Sequence, residues 1–142
     1  MKIKLYEASI LYKDIEKLFK EELEGEEKKE KEKKERKFKS LRTKYRIGNL
    51  YLALEKEYEV LEKFKNELII NLGELVDKDK GYYQVKEGNL QEFKTKYKEL
   101  AETEVNNDYE IEQELFDLIL EENVDLSLIG LKILETLIKK KE

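Results

Sequence analysis

Apolar residues recur at helical spacing through most of this 142-residue chain. Leu11, Ile15, Leu18 and Phe19 share one face of a helix predicted from about Ser9 to Glu24, with Gly25 as its stop. Phe38, Leu41, Tyr45, Gly48 and Leu52 share another face, and the apolar series continues through Leu54, Leu61, Phe64, Leu68, Leu72 and Leu75. In between, Glu27/Lys31, Glu30/Lys34 and Glu32/Arg36 stand four residues apart in the favourable order, each adding about 0.2–0.5 kcal/mol to a solvated helix. The chain has no proline, so one helix is predicted over about 26–75, roughly 75 Å long at 1.5 Å per residue. A helix of that length must project as an arm or kink, and Gly48-Asn49 marks the place for a kink.

The rest of the pattern is shorter in period. Ile3 and Leu5 alternate with lysines, predicting a strand near 2–6. Asp77-Lys-Asp-Lys-Gly81 reads as a turn leading into a strand near 82–86, where alternation sends one of Tyr82 and Tyr83 inward. Asn89 with Glu92 has capping-box spacing, and Leu90, Phe93, Tyr97 and Leu100 give a helix to about Glu102. A third strand is predicted near 105–111, then a helix beginning around Leu115. A last apolar helix follows, with Asp125 as its cap. The expected fold class is α+β, predominantly α-helical, in a single domain over 1–142.

Composition narrows the chemistry. There is no Cys and no His, which removes disulfides, thiolate metal sites and the commonest general base. No run of about 18 apolar residues is present, so no membrane span is expected and a soluble intracellular setting is the simplest fit. Asp77-x-Asp79-x-Gly81 begins like a calcium loop, but Tyr82 stands where that loop needs glycine and Gly88 where it needs the bidentate glutamate. No phosphate-loop, dinucleotide or nucleophile-elbow motif occurs. The 34 acidic residues have no spacing that nominates a catalytic pair. A non-catalytic protein without cofactor or metal is expected.

Charge changes the picture most. Lys28 to Arg46 holds eight Lys and all three Arg against three Glu, a local charge of +8 that leaves −13 for the rest of a chain of net charge −5. Lys39, Arg42 and Arg46 fall on one helical stripe with Arg36 and Thr43 at its edge, bordered by Phe38 and Tyr45. Guanidinium forks bind phosphate bidentately and a neighbouring tyrosine can stack on a base. The candidate ligand site is therefore Arg36, Lys39, Arg42, Tyr45 and Arg46, with Tyr82 and Tyr83 as a stacking pair. The competing interpretation is a solvated basic face that balances an acidic body. Extended nucleic acid is disfavoured, because the −13 beyond the island repels a polyanion.

The Met1-Lys-Ile-Lys-Leu5 opening, the basic Ser40-Leu-Arg-Thr-Lys44 segment, Asp77-Lys-Asp-Lys-Gly-Tyr-Tyr-Gln-Val85 and Glu92-Phe-Lys-Thr-Lys-Tyr-Lys-Glu-Leu100 occur in one order. In that order the chain resembles an uncharacterised family of short proteins from phages of Gram-positive bacteria. The resemblance implies a phage protein acting by binding in the host cytoplasm. Countering host defence would fit, either by sequestering an anionic nucleotide-type signal or by blocking a defence protein, in a homo-oligomer. Two alternatives stand beside it: a structural or adaptor protein assembling through its long and C-terminal helices, and a nucleic-acid-binding protein.

Overall fold

The computed structural model describes residues 2–27 and 40–139. The fold is α+β and mostly helical: α1 (Leu5–Glu27), α2 (Leu41–Leu72), a hairpin of β1 (Gly73–Asp77) and β2 (Tyr82–Val85), a 3-10 turn (Glu87–Asn89), α3 (Leu90–Ala101), α4 (Gln113–Glu121) and α5 (Leu128–Thr136). Leu11, Ile15 and Leu18 of α1 meet Ile47, Leu54 and Leu61 of α2 in the core, which Leu115, Ile119, Leu134 and Leu137 complete. Tyr12 stacks on Tyr51 and Tyr58 at centroid distances of 4.9 and 4.5 Å, while Phe19 meets Tyr51 and lies beside Gly48. Advancing along α1 therefore means retreating along α2, so the two helices run antiparallel.

The long helix differs from its predicted bounds at both ends. Ser40 is extended and its side chain accepts from the Thr43 N–H at 3.3 Å, so α2 starts at Leu41; the stretch 28–39 of the predicted helix lies outside the described residues. At the other end, Leu75 belongs to β1. A side chain at Gly73 would collide with the carbonyls of Ile69 and Gln84, so the close approach of β2 to the end of α2 requires glycine there. β1 and β2 pair antiparallel with a bulge between Leu75 and Asp77. The turn is closed by the Asp77 carboxylate, which accepts from the N–H groups of Asp79 and Lys80, and Gly81 takes a positive φ of 63°.

Of the three predicted strands only 82–86 forms one. Near 2–6 the helix wins from Leu5 onward, because Leu5, Ala8, Leu11 and Tyr12 already make a buried helical stripe and the Glu7 carboxylate accepts from the Lys4 N–H at 3.0 Å. The segment 105–111 is a connector. Val105 donates to the Ile3 carbonyl and Leu5 to Thr103, at 2.8 and 2.9 Å; Ile111 donates to Leu137 and receives from Lys139, at 2.9 and 2.8 Å. Lys4↔Glu104 and Ile111↔Ile138 are isolated bridges, one on each side of it.

Three predicted helix signals are also corrected. α1 runs through Gly25 to Glu27. Asn89 makes no capping bond to α3, since its amide donates instead to the Leu72 carbonyl at 2.9 Å and ties the 3-10 turn to the end of α2. α5 is capped by Ser127, not Asp125: the Ser127 hydroxyl accepts from the Gly130 N–H at 3.0 Å, and Asp14 of α1 accepts from the backbone and hydroxyl of Ser127.

Candidate functional site

Arg42 and Arg46 lie one turn apart on α2 and face the start of α4. Their guanidinium groups converge on a single oxygen, Glu114 Oε1, at 3.7 and 3.8 Å. Both separations suit an ion pair and exceed hydrogen-bond length. Arg42 stands in solvent with 73% of its side chain exposed, whereas Arg46 keeps only 22%. Arg46 Nη1 is buried and makes no hydrogen bond among the described residues. Beneath the arginines, Thr43 is fully buried, and its hydroxyl donates to Glu122 Oε2 at the far end of α4. Glu114 and Glu122 are two helical turns apart on one face of α4, so that face holds α2 at two polar points.

Tyr45 extends from the same turns and is 70% exposed. It shares an outward stripe with Leu41 and Leu52, also exposed. At 100° per residue that stripe lies about 180° around α2 from the buried Leu54 and Leu61. The single apolar series in the sequence is therefore two faces, one lining the core and one left outside.

Arg36, Lys39 and Phe38 lie outside the described residues. Tyr82 and Tyr83 belong to a different end of the molecule. The α2 helix from Arg46 to Leu72, about 39 Å long, intervenes between the arginines and the hairpin. Both tyrosines are exposed, so the expected inward partner is absent: a two-stranded ribbon offers no covering layer on its outer face. The structure joins Arg42, Arg46 and Tyr45 into one surface and separates the tyrosine pair from it. Sequence reasoning placed Thr43 at the edge of the basic stripe but missed its partner Glu122, and missed Glu114. The signal for Glu114 was its spacing from Glu122, eight residues on, which puts an acid at each end of α4.

Other polar groups serve the core. The Tyr109 hydroxyl donates to Glu57 Oε1 at 2.9 Å and to the Ala53 carbonyl at 3.2 Å; burial, then the Glu57 carboxylate, push its pKa up to about 12. Tyr12 is raised further, by burial first and then by its contact with the Tyr51 hydroxyl. Lys13 lies over the Tyr58 ring at 5.2 Å and is raised mainly through the Tyr58 hydroxyl. Such shifts carry both tyrosines away from use as bases near neutral pH. Another concavity, about 350 Å³ between α2 and α3, is lined by Phe64, Leu68, Asn71 and Leu100, with Lys96 and Glu99 at its rim.

Among the described residues no group of three or more acidic, His or Cys side chains could hold a metal ion, and no helix is long and apolar enough to cross a membrane. Compared with known proteins, the chain matches no family model, no curated protein and no solved structure.

Proposed function

We propose that this is a non-catalytic binding protein that captures a phosphate-bearing, nucleotide-type small molecule at the Arg42–Arg46 face. The observation that carries the proposal is the buried Arg46 Nη1, which has no hydrogen bond among the described residues while both guanidiniums point at one distant carboxylate oxygen. A buried, unmet charged donor is costly, and a phosphate oxygen entering between the arginines would take the bonds that Glu114 does not. Tyr45 supplies an exposed ring beside them for a base. With the resemblance to phage proteins, the role that fits is withholding a nucleotide signal from host defence in the host cytoplasm.

Isothermal titration calorimetry against mononucleotides and cyclic oligonucleotides tests this. Stoichiometric binding is expected, with Arg42→Glu and Arg46→Glu abolishing it at unchanged circular dichroism and the ligand recovered intact. Binding unaffected by Arg46→Glu refutes the site, and a chemically altered ligand makes the protein an enzyme. Nucleic-acid binding would instead show affinity falling steeply with salt.

A second reading, a helical adaptor or assembly protein, draws on the outward Leu41–Tyr45–Leu52 stripe. Its partner surface is that stripe and not the heptad-spaced Leu61, which is buried in the chain's own core. Leu52→Glu would release such a partner, while Arg42→Glu would not.

A further inference from the structure

The hairpin exposes Leu75, Val76, Tyr82 and Tyr83 together on a sheet that has two strands among the described residues. Two-stranded ribbons are marginal in water, and each has two open edges. The edges are unequal. β1 carries the bulge and the acids Glu74 and Asp77, the devices that discourage strand addition. β2 runs Tyr82-Tyr83-Gln84-Val85 without bulge or acid and is followed by Lys86.

The direction of the β2 backbone groups follows from one bond. The Lys86 N–H donates to the Leu72 carbonyl at 3.1 Å, so Lys86, and by alternation Gln84, turn their backbone groups toward β1. Tyr83 and Val85 therefore turn theirs outward, and among the described residues no backbone group from outside the hairpin meets them.

We infer that the β2 edge is a homodimer interface, at which a second copy of this chain adds its own β2 antiparallel to form a four-stranded sheet. Centring the two-fold axis on Gln84 places Tyr83 opposite the partner's Val85 as a hydrogen-bonded pair. The same register sets Tyr82 against the partner's Lys86, an aromatic ring against a cation. Twice over, the outward groups of Tyr83 and Val85 are satisfied. No like charges meet in this register, whereas pairing β1 with β1 would bring Glu74 and Asp77 together. A two-fold pairing also closes, so it yields a dimer and not a fibre. The arginine face is a helix length away and is not involved.

Gln84 is exposed and would oppose its own copy in a non-hydrogen-bonded pair, where side chains come closest. Analytical ultracentrifugation of the full chain should show a concentration-dependent dimer. Gln84→Glu and Gln84→Lys, each alone, should weaken it by roughly tenfold, because each sets two like charges face to face. Mixing the two variants should restore dimer, as a heterodimer. Circular dichroism checks that each variant keeps its fold. A monomeric wild-type chain at sub-millimolar concentration overturns the inference. So does a dimer indifferent to both substitutions, or a mixture that fails to recover.

Discussion

Arg46→Met separates a side chain kept for binding from one kept for stability. Its guanidinium sits 3.8 Å from Glu114, itself 60% exposed, so the ion pair is screened and contributes about 0–1 kcal/mol. Against this stands Nη1, buried without a hydrogen bond among the described residues, an arrangement that costs about 1–3 kcal/mol. Methionine keeps most of the buried stem and adds no polar atom. The balance predicts that Arg46→Met raises the unfolding free energy by about 1 kcal/mol in urea titrations, with the slope unchanged. Ligand binding should be lost in the same variant. Destabilisation beyond about 1 kcal/mol would refute the reasoning, since it would mean that the guanidinium contributes more to the fold than its geometry allows.

A side chain at Gly130 would push the Asp14 carboxylate off Ser127, a loss that the helix propensity of alanine offsets in part, so Gly130→Ala should lower stability by no more than about 1 kcal/mol and should raise it in an Asp14→Ala background, read by thermal denaturation. Leu54→Ala should cost about 2–5 kcal/mol at a fully buried position, and Leu52→Ala on the opposite face under about 0.5 kcal/mol, both by urea titration. Tyr109 keeps its proton in the folded chain up to about pH 12, whereas the unfolded chain releases it near pH 10. Its contribution is therefore whole below pH 10 and is lost as pH rises toward 12, at about 1.4 kcal/mol per unit, a slope that Tyr109→Phe should remove.

The fold class was legible because helical periodicity and the Asp77–Gly81 turn are local signals. β1 was not: Leu72 and Leu75 continue the helical spacing, whereas the chain turns extended at Gly73, where the close approach of Gln84 that requires glycine appears only once the hairpin closes. Gly25 misled in the other direction, since one glycine costs a helix only about 1 kcal/mol. The Ile3/Leu5 alternation was too short to outweigh the helical stripe that begins at Leu5. At the site, the shared face of Arg42 and Arg46 followed from their spacing. Their common acceptor did not, because Glu114 is nearly seventy residues away and only the packing of α4 brings it there. Tyr82 and Tyr83 were joined to the arginines by chemistry alone, and the length of α2 keeps them apart.

The connector at 103–111 bears on the order of folding. Tyr12 and Tyr51 meet across 39 residues, whereas Leu5 reaches Thr103 only by closing a loop of nearly a hundred. The α1–α2 pair has the smaller entropy barrier and is expected to form first, with the connector, which binds residues 3–5 and 137–139, docking late. Val105→Ala should then leave the refolding rate nearly unchanged and accelerate unfolding in stopped-flow experiments. On that order, the lifetime of the native state would be set at the seam where Ile3–Leu5 and Leu137–Lys139 are held to one short segment.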